Sequence, residues 1–179
     1  PFTLTDQHGR TVTDRDFAGR YRIVYFGYTF CPDVCPVDVQ NISAALKLVE
    51  AKDAALGKRI VPIFVTVDPA RDTPEVLAEF TDSFHPRLIG MTGTKAQIDT
   101  VTDAFAATYS IEEANEAGGY LVGHTNITYL FGPDGEPLPP APVTVSGNRV
   151  TAVGDSVMLA SAGGLLAELP GVQIDAEVS

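Results

Sequence analysis

Cysteine is scarce in this chain. Only two occur among 179 residues, and they fall four positions apart, at Cys31 and Cys35. One bridge cannot staple a disulfide-rich scaffold, so that class is excluded. Cations are also few: 12 Lys and Arg stand against 23 Asp and Glu, for a formal net charge of -11. Phosphate backbones are held by clustered Lys and Arg, so this balance argues against nucleic acid and for a solvated acidic surface. No stretch approaches the ~20 apolar residues of a membrane-spanning helix. The sequence starts at Pro1 without an initiator methionine. Any membrane attachment is therefore expected from an N-terminal anchor or signal segment ahead of it. What is present is ordinary for a globular chain, with 45% apolar and 20% charged residues. The length favours one principal domain.

Hydrophobic patterning organises the first three-quarters of the chain. Phe2 to Thr13 alternates about a Gln7-His8-Gly9 turn and reads as a hairpin. Tyr21–Tyr28 (YRIVYFGY) and Ile60–Val67 (IVPIFVTV) are continuous apolar runs, the signature of strands buried on both faces. Between them Val39, Ile42, Leu46 and Val49 recur at helical spacing, predicting one helix that ends near Gly57. Pro74 opens a helix carrying Leu77, Phe80 and Phe84, and Thr94-Lys-Ala-Gln97 is a capping-box pattern ahead of Ile98, Val101 and Phe105. Arg87–Met91 and Thr125–Phe131 read as strands, and Glu112–Gly119 as a polar loop. Strands alternating with helices predict an α/β architecture. A buried strand, then C-x3-C, then a helix is the opening of a thioredoxin-like fold, with a central mixed sheet flanked by helices.

Chemistry concentrates at Thr29-Phe-Cys-Pro-Asp-Val-Cys-Pro36. Pro32 suits a first helical position, which makes Cys31 the expected N-cap, and Pro36 predicts an irregular first turn. Thiols four residues apart on a helix share a face. They can close a disulfide or grip one metal ion. The helix N-terminus favours thiolate, the form that both ligates metal and exchanges disulfides. Two sulfurs favour Cu(I), and an added imidazole keeps Cu(II) and zinc open. Three histidines could supply it. His8 sits in a turn and His85 precedes Pro86, positions typical of surface or packing residues. His124 follows a Gly-flanked loop feeding a strand, from which it could reach over the cysteine turn.

These residues carry a resemblance. Tyr25-Phe-Gly-Tyr-Thr-Phe-Cys-Pro-Asp-Val-Cys-Pro36, Val67-Asp-Pro-Ala-Arg-Asp-Thr-Pro74, Gly90-Met-Thr-Gly93 and Tyr120-Leu-Val-Gly-His124 are similar to the motifs of the Sco/SenC family of copper chaperones. The likeness runs from Phe2 to about Leu138. It implies copper, as Cu(I) or Cu(II), held by Cys31, Cys35 and His124, and a thioredoxin fold. The implied partner is subunit II of cytochrome c oxidase, at its binuclear copper-A site, with other copper chaperones or thiol reductants upstream. The implied location is the bacterial periplasm, behind a membrane anchor. The alternative reading is a thiol–disulfide oxidoreductase in which Cys31 and Cys35 are the redox pair that keeps partner cysteines reduced. Members of this family usually carry Asp just before the ligand histidine, where this chain has Gly123. Asp68, in the matching Asp-Pro motif, is expected either to orient the site or to cap its loop.

The remainder departs from that pattern. Residues 1–138 are expected to form the thioredoxin-like domain, 139–149 a proline-rich linker, and 150–179 an atypical tail. Val153-Gly-Asp-Ser-Val-Met-Leu159 resembles the first block of SGNH-type hydrolases and acyltransferases. A nucleophilic serine needs a base and an orienting acid. No histidine follows His124, so Ser156 is read as catalytically silent, with Asp155 and Ser156 capping a helix.

Overall fold

The two apolar runs form the centre of the molecule. In a computed structural model, which describes residues 2–32, 34–114 and 119–138, β3 (Tyr21–Gly27) and β4 (Ile60–Thr66) pair in parallel over their full length. All seven residues of β4 are buried. The hairpin strands β1 (Thr3–Asp6) and β2 (Thr11–Thr13) lie toward one edge, and β5 (Ile89–Thr92) links β1 to β4. β8 (Thr128–Phe131) runs antiparallel beside β3. The six-stranded sheet therefore has the order β2-β1-β5-β4-β3-β8, mixed in direction. β6 (Tyr109–Ile111) and β7 (Val122–His124) make a separate antiparallel pair, with Tyr109 opposite His124.

Helices cover the sheet. α1 (Val34–Lys52) buries Val39, Ile42, Leu46 and Val49, the expected stripe. α2 is short (Ala54–Arg59). α3 (Pro74–Asp82) and α4 (Lys95–Ala104) begin where Pro74 and the Thr94/Gln97 capping box place them. Phe80 of α3 packs on Phe64 of β4 with ring centroids 4.9 Å apart. Phe64 is fully buried, and a large apolar side chain so placed contributes about 1.5–3 kcal/mol. At Gly90 an added Cβ would lie 3.0 Å from Thr81 Cγ2 and 3.2 Å from Leu77 Cβ, so its lack of a side chain lets α3 settle close on β5.

Several local expectations are corrected. The helix expected to reach Gly57 breaks at Asp53, whose carboxylate accepts from the N–H groups of Ala55 and Leu56 and starts α2 afresh. α1 begins at Val34, so Cys31 precedes the helix by three residues and is not its N-cap. Pro36 disturbs nothing, because the amide it lacks belongs to the first turn, where no intrahelical acceptor exists. The strand expected at Arg87–Met91 starts at Ile89, since Arg87 is drawn to Glu50 and to the carbonyls of Gly57 and Ile60. His85, read as a bland histidine, is buried with Nε2 3.2 Å from Glu50. No helix among the described residues is long and apolar enough to cross a membrane. The linker at 139–149, the tail at 150–179 and Ser156 lie outside the described residues.

Candidate metal centre

Three segments converge at the C-terminal end of β3. The first is the turn after β3, which carries Cys31. The second is the first turn of α1, which carries Cys35. The third is β7, which ends at His124. Gly27, the last residue of β3, makes the approach possible. A Cβ there would stand 3.1 Å from Cys35 Sγ and 3.0 Å from the rings of Phe64 and Tyr25. Cys35 is fully buried and Cys31 is 8% exposed. Neither is in a disulfide.

The donor atoms face one another. Cys31 Sγ accepts from the Cys35 amide at 3.5 Å, and Cys35 Sγ lies 3.2 Å from His124 Nε2. All three ligand atoms lie within 4.8 Å of one another, and among the described residues this is the one group of three or more His, Cys, Asp or Glu so placed. An ion bound about 2.0–2.3 Å from each donor needs donors on the order of 4 Å apart, so the set fits one ion after small shifts. Nδ1 of His124 stands 3.2 Å from the Thr125 carbonyl. A carbonyl only accepts, so this contact places the proton on Nδ1 and leaves the Nε2 lone pair aimed at the sulfurs. That contact answers the question raised by Gly123. With no carboxylate beside the histidine, a backbone carbonyl orients the ring instead. The edges of Tyr25 and Tyr28 close in on the imidazole, with centroids 6.2 and 5.9 Å away.

Burial governs protonation here. It is the largest influence on Cys35 and pushes that thiol up to about 12, against the opposing hydrogen bond from the Tyr28 backbone. The thiolate expected from the helix N-terminus is therefore not favoured at Cys35, because desolvation outweighs the dipole. Burial also lowers His124, keeping its ring neutral and fit to ligate. The Tyr25 hydroxyl lies 2.8 Å from Asp38 Oδ2 and 3.1 Å from Asn126 Oδ1. Burial first, then the neighbouring Cys35 and Asp38, raises it, so it stays a neutral phenol.

These environments predict unequal thiols. Iodoacetamide at pH 8 should alkylate the metal-free Cys35→Ser variant, through Cys31, at least about tenfold faster than Cys31→Ser, through Cys35. Equal rates, followed by mass spectrometry, would contradict the assigned burial.

One loop, between β4 and α3, braces the site from behind. Asp72, fully buried, accepts from the Thr29 amide at 3.0 Å, from Thr29 Oγ1 at 2.6 Å and from Thr66 Oγ1 at 2.5 Å. It thereby ties the cysteine turn to the end of β4. Asp68 accepts from Arg71 Nε and from the Tyr120 hydroxyl at 2.9 Å. It therefore reaches the histidine segment through Tyr120. Arg71 and Asp72 stand inside the motif that singles out Asp68, but spacing alone gives no sign of what they hold. His8 is exposed in its turn and, like His85, takes no part.

Known proteins bear on this arrangement. The SCO1/SenC family model matches residues 1–157. The chain belongs to the SCO1/SenC family. Protein SenC of Rhodobacter capsulatus is 47% identical over 133 residues, covering 74% of this chain and 58% of that protein. The mitochondrial SCO1 homolog of Mus musculus is 42% identical over 140 residues, covering 76% of this chain and 47% of that protein. This SCO1/SenC chain thus spans about half the length of the curated relatives it matches. Among solved structures, Bradyrhizobium japonicum ScoI with copper bound superposes with a TM-score of 0.72 at 36% identity, covering 82% of this chain and 90% of that one. The thioredoxin-like fold expected for the SCO1/SenC family is the fold observed.

Proposed function

We propose that this chain binds one copper ion through Cys31, Cys35 and His124 and passes it to an assembling cytochrome c oxidase. The carrying observation is the convergence of two sulfurs and one imidazole lone pair within 4.8 Å. Soft sulfurs suit Cu(I), and the imidazole extends the site to Cu(II). Copper is here cargo, so the site must both hold it and release it. Cys31 is the more exposed thiol. It offers the side from which a receiving ligand can approach, while Cys35 and His124 form the floor. The copper-bound relative and the family resemblance support this reading. An extracytoplasmic location, and the copper-A site of oxidase subunit II as destination, belong to the same proposal and rest on the family resemblance alone. The thiol–disulfide reading uses the same pair. The geometry does not favour it over copper binding: Cys31, the more exposed thiol, would be the attacking sulfur with Cys35 behind it, and that use of the pair leaves His124 without a part.

Titration of the reduced protein with Cu(I) against a chelator of known affinity should give one equivalent. His124→Ala should weaken Cu(II) at least about tenfold and Cu(I) less, because two thiolates suffice for Cu(I). A stoichiometry well below one, or undiminished binding in Cys31→Ser, would overturn the proposal.

A further inference from the structure

One side chain touches both arms of the site without being a candidate ligand. Arg71 lies in the loop between β4 and α3. Its guanidinium carbon stands 3.7 Å from the centroid of the Tyr120 ring, its Nη1 donates to the Tyr120 carbonyl at 3.0 Å, and its Nε donates to Asp68. Asp68 in turn accepts from the Tyr120 hydroxyl. Tyr120 is thus gripped at ring, carbonyl and hydroxyl by one short loop, four residues ahead of His124. The same guanidinium also lies over Phe30, 4.9 Å from its centroid, and Tyr28, 5.7 Å away, on the turn that leads into Cys31.

What else holds His124 in place is local: Tyr25 and Tyr28 against its ring, and the short β6–β7 pair. β6 and β7 pair through three residues each, extended by two backbone bonds, from the Thr125 amide to the Thr108 carbonyl and from the Glu112 amide to the Leu121 carbonyl, both 2.9 Å, and by the Thr125 hydroxyl, which accepts from the Thr108 amide at 2.8 Å. An isolated two-stranded pair of this length has little stability of its own. The cysteine arm has separate support, from Asp72 on Thr29 and from α1. We infer that Arg71 is a positioning residue for the third ligand: through Tyr120 it fixes where His124 stands relative to the two sulfurs. Lysine cannot substitute, because the grip combines planar stacking with two directed N–H bonds. This inference rests on the proposed copper site and deepens it. Loss of Arg71 frees the histidine arm and leaves the thiol pair intact.

A double-mutant cycle on Cu(II) binding tests it, using Arg71→Met, His124→Ala and both together. In the otherwise native protein, Arg71→Met should weaken Cu(II) by about tenfold or more, the usual effect of removing support from a ligand. It should also change the thiolate-to-copper absorption toward that of His124→Ala. In the His124→Ala background, Arg71→Met should change the affinity less than about twofold, since the residue it positions is gone. Additive losses would overturn the inference, because Arg71 would then act on the thiols or on the fold. Tyr120→Leu should reproduce Arg71→Met, and Tyr120→Phe, which keeps the stacked ring, should stay near the native value. Tyr120→Leu also carries the test if Arg71→Met fails to fold, and undiminished Cu(II) binding by it would overturn the inference. Absence of copper binding by the native protein would instead overturn the site itself.

Discussion

Copper at a hundredfold excess over its dissociation constant should raise the melting temperature of the reduced protein by on the order of 10 °C, and that of the oxidised protein hardly at all. A ligand bound only by the folded state stabilises it by about 2.7 kcal/mol at that excess. A melting temperature moves a few degrees per kcal/mol for a domain of this size. The donors come from separate segments, with 89 positions between Cys35 and His124, so the ion cross-links what the chain holds apart. Oxidation of Cys31 and Cys35 removes two of three donors at once. Both thiols must release protons to bind, and burial holds Cys35 protonated at neutral pH. The copper-induced shift should therefore shrink as pH is lowered. Paired scans of both redox forms, with and without copper, check this. Equal shifts in the two forms would place the metal elsewhere.

Asp72→Ala should cost on the order of 3 kcal/mol of unfolding free energy, because it strands the fully buried Thr66 hydroxyl and the half-buried Thr29 amide and hydroxyl. Out of the roughly 5–15 kcal/mol typical of a folded protein, that is a large share. The urea midpoint should fall with the slope unchanged. Asp72→Asn keeps an acceptor and should cost far less. Its pH dependence carries a sign. Burial foremost, with help from the neighbouring Asp68, raises Asp72 above the ordinary carboxyl range despite the donors from Thr29 and Thr66. A carboxyl that is raised on folding is bound to its proton more tightly in the folded state. Ionising it then costs stability. That cost is absent below the unfolded pKa, near ~3.9, and full above the folded one. The stability of the native protein relative to Asp72→Asn should therefore decline as pH rises from about 3 toward 7. A difference flat with pH would mean that Asp72 folds without a changed proton affinity.

What could be read from the sequence was whatever a repeating or capping pattern announces. β3 and β4 are continuous apolar runs, because both faces of the central strands are covered. α3 and α4 carry Pro74 and the Thr94/Gln97 box at their starts. The cysteine pair was legible because two lone cysteines follow a buried strand; His124, one of three histidines, was singled out by the Tyr120–His124 motif that resembles the family's, and the fold brings the three together. β6 and β7 escaped, since three residues carry no period and their pairing is with each other alone. Asp53 escaped because the apolar stripe of α1 continues in phase to Leu56, concealing the break. Arg71 and Asp72 escaped for another reason. Their effect is to hold residues some fifty and forty positions away, and nothing local in the chain records that.

The order of the donors along the chain has a consequence for how the protein is made. The second of the two thiols leaves the ribosome 89 residues ahead of the imidazole. At ~5–20 residues per second, that is an interval of roughly 4–18 s. β8, the partner that closes one flank of β3, is synthesised later still. During this interval the nascent segment is a dithiol with neither its third donor nor the walls that bury Cys35. Its sulfurs then titrate as ordinary exposed thiols, open to any oxidant or stray soft metal in the compartment. A chain that reaches its destination reduced and empty must therefore have been kept so from outside, by the surrounding thiol pool, before its own fold could protect it.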